Sequence, residues 1–356
     1  MKEIHIDGQP IGGKHAPFVV AELSANHNGD IERAFAIMQA VKNAGAHAIK
    51  LQTYTADTLT LDCDKSEFKI HSGLWQGQTL YQLYQQAQTP WEWHARLFAK
   101  AKELKLCIFS SPFDLSAVEF LEDLNCPAYK IASFELVDLP LIKRVAQTAK
   151  PLILSTGMAS KQEIAKAVTT AKKNGCSELI LLHCISSYPA PTEQYNLKTI
   201  PDMQNHFGEL VGLSDHSTNN IAAIAATALG ACMIEKHVTL NKNAGGSDDS
   251  FSIEPQELAS LCHDVKQTWQ ALGTGTGTAT YQANSAEQNN RQFRRSLYVV
   301  ADIAKGEILT EKNIRSIRPS LGLAPEHLTK VLGKKAKYAL QKGTPLSNDL
   351  IEGFDC

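Results

Sequence analysis

Residues 18–54 read FVVAELSANHNGDIERAFAIMQAVKNAGAHAIKLQTY, and this stretch decides the fold. Apolar runs at 18–26 and 46–54 flank a segment at 31–44 in which apolar residues recur at helical spacing. Gly45 follows that segment, where a left-handed residue commonly ends a helix. Because continuous apolar runs are typical of strands buried on both faces, the stretch predicts one strand–helix–strand unit of a parallel sheet.

The same alternation continues to residue 272. The predicted strands are 18–26, 46–54, 106–113, 128–135, 151–158, 179–187, 210–217 and 232–239. The predicted helices are 31–44, 91–104, 115–123, 139–149, 161–174, 219–228 and 255–272. Eight strands alternating with helices over this length predict an α/β fold, a (β/α)8 TIM barrel. A doubly wound open sheet is the rival, but no Gly-x-Gly-x-x-Gly sequence follows the first strand.

Composition narrows the class of protein. The 356 residues are 43% hydrophobic and carry a formal net charge of -2, so neither nucleic acid nor an acidic membrane is an expected partner. The eight cysteines include no Cys-x-x-Cys pair and no zinc-ligand spacing. Cys107, Cys184 and Cys232 fall within predicted strands, where packing alone explains them. Without an apolar leader or an 18-residue apolar run, we expect a soluble cytoplasmic enzyme with reduced thiols.

Two segments interrupt the barrel pattern. Residues 55–90 form a long insertion after the second strand, and we expect either a lid or binding element or a peripheral hairpin that covers the barrel. Residues 273–293 are rich in Gly, Thr, Asn and Gln, which is typical of a linker. The predicted division is therefore a barrel domain at 1–272, a linker at 273–293 and a small domain at 294–356.

The small domain contains a weak internal repeat. Lys305-Gly306 leads to Ile314, and Lys342-Gly leads at the same spacing to Ile351. A Lys-Gly turn followed by an apolar anchor, used twice, predicts a pseudo-symmetric β-rich domain, although two copies of a common turn also arise by chance.

Polar residues cluster where the predicted strands end. Barrel enzymes hold their active sites at the carboxyl ends of the strands, so this clustering predicts a site. The candidates, in chain order, are Glu22, Asn26, His27, Lys50, Gln52, Ser110, Ser111, Lys130, Ser133, Glu135, Ser155, Thr156, Ser186, Ser187, Ser214, Asp215, His216, Glu235, Lys236 and His237. The charged members need partners inside apolar strands. An internal ion-pair network satisfies that need, as does an anionic ligand held by lysines and serine hydroxyls, and the recurrence at one rim favours a ligand site.

His216 and His237 end consecutive strands, one strand–helix unit apart. Neighbouring strands lie about 4.8 Å apart, so two imidazoles at their ends can share one divalent cation. Oxygen ligands are available from Glu22, Asp248, Asp249 or water. With no cysteine thiolate implicated, we expect an open Mn²⁺ or Mg²⁺ site rather than a closed zinc site.

Seven motifs in order resemble the sialic acid synthase family. They are Ala21-Glu-Leu-Ser-Ala-Asn-His-Asn-Gly, Ala48-Ile-Lys-Leu-Gln, Ser110-Ser-Pro-Phe, Tyr129-Lys-Ile-Ala-Ser-Phe-Glu, Leu154-Ser-Thr-Gly-Met, Gly212-Leu-Ser-Asp-His-Ser and Ile234-Glu-Lys-His. The resemblance runs from about residue 17 to the end of the chain, where residues 294–356 resemble the antifreeze-like (SAF) domain of those enzymes. Within the family, the 55–90 insertion is most similar to that of the pseudaminic acid synthases.

The resemblance implies a metal-dependent condensation of phosphoenolpyruvate with an open-chain amino-sugar aldehyde, giving a nine-carbon 2-keto acid and phosphate. For pseudaminic acid synthases the sugar is a 2,4-diacetamido-2,4,6-trideoxyhexose. The residues implied to hold phosphoenolpyruvate are Lys50, Ser111, Lys130, Ser133, Ser186 and Ser214. Ser155 is a further substrate-binding candidate, and His216 and His237 are the implied metal ligands. Glu22 and Glu135 are implied as the proton-transfer and sugar-orienting residues, and Asp248 matches an acidic position after the last strand, with Asp249 beside it.

The resemblance also implies a domain-swapped homodimer, in which Arg318 of one subunit reaches the sugar bound by the other. Ser186 and Ala132 depart from the Asn and Gly that are common in sialic acid synthases, and both departures favour a sugar other than N-acetylmannosamine. An N-acetylneuraminate or legionaminate synthase remains the alternative. More distant possibilities are a Schiff-base aldolase that uses Lys50, Lys130 or Lys236, and a non-catalytic ice- or sugar-binding protein.

Overall fold

The computed structural model describes residues 2–273, 281 and 284–355. Its chain divides into two compact units, Met1–Gly277 and Thr278–Cys356, which are considered separately. The predicted linker at 273–293 lies in part outside the described residues. Its described part contains the short helix α11, Ser285–Gln288, and a 3-10 turn at Asn289–Phe293.

The strands of the described chain form two small sheets and one closed barrel. In chain order they are β1 Glu3–Ile6, β2 Gln9–Gly12, β3 Phe18–Glu22, β4 Ala48–Thr53, β5 Cys107–Pro112, β6 Tyr129–Ile131, β7 Leu152–Ser155, β8 Leu179–Cys184, β9 Leu210–Asp215, β10 Met233–His237, β11 Ser296–Val299 and β12 Ile314–Ile317. Strands β3 to β10 are parallel, and β10 pairs with β3 to close the barrel. The predicted TIM barrel is confirmed, with all its predicted strands present and shorter at their ends.

Helices surround this barrel. They are α1 Ile31–Ala44, α2 Ala56–Leu59, α3 Leu80–Ala87, α4 Trp91–Leu104, α5 Leu115–Asp123, α6 Leu139–Ala146, α7 Lys161–Lys173, α8 Thr199–Phe207, α9 Ile221–Ala228, α10 Pro255–Ala271, α11 Ser285–Gln288 and α12 Leu328–Val331. None of the helices in the described residues is both long and apolar enough to cross a membrane.

The first strand–helix unit illustrates why these residues fold as they do. Every residue of β3 is buried, as expected for a strand with the barrel interior on one face and helices on the other. The Asp30 side chain accepts a hydrogen bond from the Glu32 N–H at the start of α1, and Gly45 ends the helix at a φ of 84°. Ile37, Met38 and Val41 form the buried face of α1 between these caps.

Three features depart from the predicted elements. The β1–β2 hairpin turns at Asp7-Gly8, a two-residue hairpin signal, but its strands are short enough to escape a search for long apolar runs. Helix α8 was not predicted because Pro201 interrupts the helical spacing of its apolar residues. The helix forms nevertheless, since Pro201 lies in its first turn, where proline is tolerated. The predicted strand 128–135 is shortened to β6, since a 3-10 turn at Phe134–Val137 lifts Glu135 out of the strand.

One buried ion pair lies on the helix-facing side of the barrel. Lys236 Nζ donates to Asp215 Oδ2 at 2.7 Å and to the Ser217 carbonyl at 2.6 Å. The Tyr195 hydroxyl donates to Asp215 Oδ1 at 2.6 Å and accepts from the His216 N–H at 2.9 Å. Lys236 is 1% exposed, so this network ties β9 to β10 and fixes the backbone that carries His216.

The second unit has its own apolar core around the antiparallel pair β11–β12. The two copies of its repeat occupy equivalent environments. Gly306 and Gly343 both adopt left-handed φ values, of 79° and 92°. The anchors Ile314 and Ile351 are both buried in this core. The predicted small β-rich domain is confirmed.

Removing the charge of Asp215 tests the buried pair. In an Asp215→Asn variant the Lys236 ammonium loses its counterion while the shape of the site is kept, and we expect a loss of about 3–5 kcal/mol in the free energy of unfolding. Urea unfolding followed by circular dichroism measures it. The exposed pair Lys100–Glu103 supplies the control, because Glu103→Gln should change stability by less than about 0.5 kcal/mol. Equal, small effects of both substitutions would contradict a structural role for the buried pair.

Candidate functional site

A cavity of about 840 Å³ opens at the carboxyl ends of the barrel strands. The predicted site residues that line it are Glu22, Lys50, Gln52, Ser111, Lys130, Ser133, Glu135, Ser155, Ser186, Ser187, Ser214, His216, Glu235, His237 and Asp248. Arg318 lies in the second unit, exposed to solvent just after β12. A volume of this size is typical of pockets that enclose small-molecule ligands.

Strand register explains why these side chains converge. His237 pairs with Glu22 across β10 and β3, and Glu22 pairs in turn with Lys50 on β4. Side chains alternate between the two faces of a strand, so Glu235 and His237 line the cavity while Lys236 between them faces the helices. Lys236 is therefore wrong as a nucleophile candidate, because Asp215 holds it outside the cavity.

Two lysines and two glutamates form a buried charge cluster at the cavity floor. Lys50 Nζ contacts the Glu22 carboxylate and lies 3.7 Å from Glu235 Oε1. Lys130 Nζ lies 2.7 Å from the same Glu235 oxygen. Each of these residues is at most 5% exposed, and their formal charges cancel. The predicted ion-pair network is thus present, and it lines a cavity large enough for a ligand.

The two carboxylates of this cluster differ in their electrostatics. Burial raises the pKa of Glu22 more than its contact with Lys50 lowers it. Burial also lowers the pKa of Lys50 despite the neighbouring Glu22. Glu235 behaves in the opposite way, because Lys130 and Lys50 outweigh burial and lower its pKa to about 2. The charged form of Glu235 is therefore favoured beside Lys130. For Glu22 and Lys50, burial favours the neutral form instead.

Serine hydroxyls surround the cluster. Ser111 accepts a hydrogen bond from Lys50 Nζ at 3.2 Å, and Ser214 donates to Glu235 Oε1 at 3.1 Å. Ser133 Oγ accepts from the Gly157 N–H at 3.2 Å. A side chain at Gly157 would collide with the hydroxyls of Ser133 and Ser186, so only glycine allows them to approach this closely. The Ser155 hydroxyl is buried without a hydrogen-bond partner.

His216 and His237 stand side by side above this floor, with ring centroids 5.4 Å apart. His216 Nδ1 donates to the Ile185 carbonyl at 2.9 Å, which leaves its Nε2 free to act as a ligand. His237 Nδ1 is buried without a hydrogen-bond partner, and burial holds the pKa of His237 well below its usual value. Against the effect of burial, Cys184 and the Ile185 carbonyl raise the pKa of His216, so the two histidines differ in their protonation. With both rings deprotonated, two imidazole nitrogens on adjacent strands fit a divalent cation.

Protein groups alone do not complete a metal cage. Within the described part of the chain, no group of three or more His, Cys, Asp and Glu side chains is arranged to hold an ion. The nearest carboxylate oxygen, Asp248 Oδ2, lies 4.0 Å from His237 Nδ1. The arrangement therefore suits an open site, in which water or substrate supplies the remaining oxygens.

The structure distinguishes the two neighbouring aspartates. Asp248 lines the cavity, accepts a hydrogen bond from Ser24, and has its pKa raised by burial. Asp249 is absent from the lining and pairs with Arg33 at 3.2 Å. Asp248 is thus the member that can reach a ligand.

Glu135 is the cavity carboxyl with the clearest acid–base character. Among the described residues its Oε2 atom has no hydrogen-bond partner, and burial raises its pKa to about 7. A group with a pKa near the working pH both donates and accepts protons efficiently.

Sequence reasoning missed or undervalued three lining residues. Glu235 was named only as a strand-end residue, yet it pairs with both lysines of the cluster. Tyr188 packs against His216 in a tilted arrangement with ring centroids 4.4 Å apart, and its place after a predicted strand was the only signal for it. Cys184 was assigned to packing, but it lines the cavity 3.8 Å from His216 Nδ1. Burial raises the pKa of Cys184, but His216, Ser133 and Lys130 together lower the value to about 7.

The 55–90 insertion contributes directly to the cavity. Leu59, Ile70, Leu74, Trp75, Leu80, Leu83, Tyr84 and Ala87 line it, so the insertion is part of the site and not only a peripheral hairpin. Trp75 Nε1–H donates to the Ser247 carbonyl at 3.0 Å, which fastens the insertion to the loop that carries Asp248.

Comparison with known proteins identifies the family. The family model described as NeuB matches residues 37–277, and the SAF domain model matches residues 294–352. The chain belongs to the NeuB family. It is 46% identical to a pseudaminic acid synthase of Helicobacter pylori over 94% of this chain and 98% of that protein. It is 36% identical to an N,N'-diacetyllegionaminic acid synthase of Campylobacter jejuni over 89% of this chain and 95% of that protein.

Among solved structures, a spore coat polysaccharide biosynthesis protein of Bacillus subtilis matches with a TM-score of 0.67 and 32% identity. That match covers 99% of this chain and 100% of the other. The resemblance to the sialic acid synthases inferred from the seven motifs is confirmed by the family model.

The raised pKa of Glu135 predicts a pH-dependent stability difference. The folded protein keeps a proton on Glu135 up to about pH 7, whereas the unfolded chain releases it near the ordinary value of 4.5. Stability of the wild-type protein therefore falls as pH rises through this interval, by at most about 3 kcal/mol. A Glu135→Gln variant lacks this loss, so its stability relative to wild type should be greater at pH 8 than at pH 5.

Urea unfolding at both pH values measures the difference, and the exposed substitution Glu119→Gln serves as the control. If Glu135→Gln shifts stability by the same amount at pH 5 and pH 8, the carboxyl is not protonated in the folded protein as inferred.

Proposed function

We propose that this chain is a pseudaminic acid synthase. It condenses phosphoenolpyruvate with a 2,4-diacetamido-2,4,6-trideoxyhexose to give a nine-carbon 2-keto sugar acid and phosphate. The observation that carries the proposal is one cavity at which two buried lysines, a set of serine hydroxyls and two adjacent histidines meet. The Helicobacter pylori protein that is 46% identical to this chain bears the same enzyme name.

Phosphoenolpyruvate carries a phosphate and a carboxylate, and the cavity floor offers groups for both. Lys50 and Lys130 supply positive charge, and Ser111, Ser133, Ser155, Ser186 and Ser214 supply hydroxyl donors. Because the formal charges of the two lysines and two glutamates cancel, the incoming anion competes with the carboxylates for the lysines. Glu22, whose pKa burial already raises, is the member able to take up a proton as the anion binds.

His216 and His237 are the residues that would hold a divalent cation, Mn²⁺ or Mg²⁺. When bound, such a cation supplies Lewis-acid polarisation of the sugar aldehyde oxygen. The Ile185 carbonyl and the Tyr188 ring hold the His216 imidazole, and Tyr188 also packs edge-on against His237 with ring centroids 6.2 Å apart.

The condensation forms a bond between carbon 3 of phosphoenolpyruvate and the aldehyde carbon of the sugar. Water adds to carbon 2, and the bond between carbon 2 and the phosphate oxygen breaks. The aldehyde oxygen gains one proton, and the attacking water loses one as it adds. The new hydroxyl at carbon 2 loses its proton to the departing phosphate as the keto group forms, so the reaction needs one acid and one base. Glu22 and Glu135 both have raised pKa values and both line the cavity, and we assign proton transfer to this pair. We assign the orientation of the sugar to Asp248, which lines the same cavity.

Product analysis tests the proposal. The purified protein is incubated with phosphoenolpyruvate, a divalent cation and a panel of 2-acetamido and 2,4-diacetamido hexoses. Phosphate release is followed, and the products are identified by mass spectrometry. We expect the largest kcat/KM with the 2,4-diacetamido-2,4,6-trideoxyhexose. Turnover with N-acetylmannosamine alone would contradict the assignment, as would an imine trapped by borohydride.

Removal of one histidine tests the cation site. In a His237→Ala variant we expect phosphate release to fall at least about 100-fold and Mn²⁺ affinity, measured by calorimetry, to fall in parallel. His206, an exposed histidine on α8, is the matched control, and His206→Ala should leave both quantities unchanged. Unaltered Mn²⁺ affinity in the His237→Ala variant would rule out this site.

We further propose that the enzyme works in the cytoplasm as a domain-swapped homodimer, with residues 273–293 as the linker between the barrel and the SAF domain. The seven cysteines of the described residues are free thiols, as suits a reducing compartment. In the dimer, the exposed Arg318 of one subunit contacts the sugar bound in the barrel of the other.

Complementation tests this exchange. Arg318→Ala and His237→Ala each inactivate a homodimer, but a hybrid of the two contains one intact barrel facing one intact Arg318. Co-expression with two affinity tags isolates the hybrid, and we expect phosphate release to return in part. A hybrid as inactive as its parents would contradict the swap, and so would an active monomer in light scattering.

A further inference from the structure

The cavity has two chemically different halves. Its floor contains the charge cluster and the serine hydroxyls, whereas the 55–90 insertion supplies an apolar surface. This apolar wall consists of Leu59, Ile70, Leu74, Trp75, Leu80 and Leu83. All of these except Leu83 keep part of their surface exposed, and Leu74 is 51% exposed. Partly exposed apolar side chains around one pocket are available for contact with a ligand.

The wall is held in a defined position. A capping box with Thr79 and Gln82 begins helix α3, which carries Leu80 and Leu83. The Ile70 N–H donates to the Gln78 carbonyl at 2.9 Å, and the Gly77 N–H donates to the Ile70 carbonyl at 3.0 Å. At the far end, the hydrogen bond from Trp75 to Ser247 joins the wall to the loop after β10. The wall therefore spans the mouth from the end of β4 to the end of β10.

Phosphoenolpyruvate does not suit this surface. Placing a phosphate or a carboxylate against leucine side chains removes its water without replacing the hydrogen bonds, which is strongly unfavourable. The anion belongs at the lysine floor, so the wall faces the second substrate.

We propose that the apolar wall determines sugar specificity by binding the methyl groups of the 2,4-diacetamido-2,4,6-trideoxyhexose. This inference rests on the proposed function. At carbon 4 that sugar carries an acetamido group where a 2-acetamido-2-deoxyhexose carries a hydroxyl, and at carbon 6 it carries a methyl in place of a hydroxymethyl. Against the wall the methyl groups bury apolar surface, whereas the hydroxyls lose their hydrogen bonds to water.

A matched pair of leucines provides the experiment. Leu59 lines the cavity, and Leu61, two residues further on, is 64% exposed and is not among the lining residues. Leu59→Ala and Leu61→Ala remove the same atoms. Leu74→Ala is a second wall variant, and its high exposure makes misfolding a minor concern. For each protein, kcat/KM is measured with the 2,4-diacetamido-2,4,6-trideoxyhexose and with N-acetylmannosamine, together with the KM for phosphoenolpyruvate.

Loss of one hydrophobic contact typically changes discrimination by about 10-fold or more. We therefore expect Leu59→Ala and Leu74→Ala to reduce the preference for the diacetamido sugar about 10-fold. The KM for phosphoenolpyruvate should not change, and Leu61→Ala should behave as wild type. Equal losses with both sugars, or an unchanged preference in both wall variants, would overturn the inference while leaving the proposed function intact. A wild-type protein inactive with every sugar would instead overturn the proposed function.

Discussion

The burial of two lysines and two glutamates at the barrel mouth is the constraint on which the rest of the site depends. Charges removed from water are costly unless each finds a partner at close range. Here Glu235 is shared by Lys130 and Lys50, and Glu22 contacts Lys50. The four groups come from four different strands, β3, β4, β6 and β10, so the cluster also holds the barrel closed at this end. The arrangement that stabilises the fold is the same one that receives an anion.

The two pairs differ in how firmly they hold their charges. Lys130 and Glu235 remain ionised, whereas burial brings the pKa values of Glu22 and Lys50 towards each other. A single cluster thus contains one ion pair, Lys130–Glu235, that keeps its charges, and one carboxyl, Glu22, whose pKa is raised towards neutral pH. Glu135 adds a second titratable carboxyl, outside the cluster and without a hydrogen-bond partner on Oε2. This division allows charge to be held in one place while protons move in another.

Much of the fold was predictable because its signals are local. The apolar runs and the helix caps around residues 18–54 specify one strand–helix unit, and repetition of that pattern specifies a closed barrel. The convergence of Lys50, Lys130, His216 and His237 followed from the rule that strand ends share one rim. The partners of these residues could not be predicted from that rule. Which of Glu235 and Lys236 enters the cavity depends on strand register, and which of Asp248 and Asp249 does so depends on the path of a loop.

The 55–90 insertion shows a different limit. Its sequence indicated a functional loop or a peripheral one, and local pattern could not distinguish them because the answer lies in a contact with Ser247, distant in the sequence. Cys184 was similar, since a cysteine within a strand looks the same whether its thiol faces a helix or a cavity. The structure adds the contacts between residues that are distant in the sequence and the direction in which each strand side chain points.

The alternation along β10 has a consequence for how this protein can change. Its consecutive residues Glu235, Lys236 and His237 serve three separate purposes: a counterion for two lysines, a tie to Asp215 and a histidine at the mouth. Inserting or deleting one residue upstream in the strand would turn all three to the opposite face together. Such a shift would place an unpaired ammonium in the pocket and a carboxylate among the helices. We therefore expect the fold to tolerate insertions and deletions in its loops, whereas β10 should tolerate only substitutions.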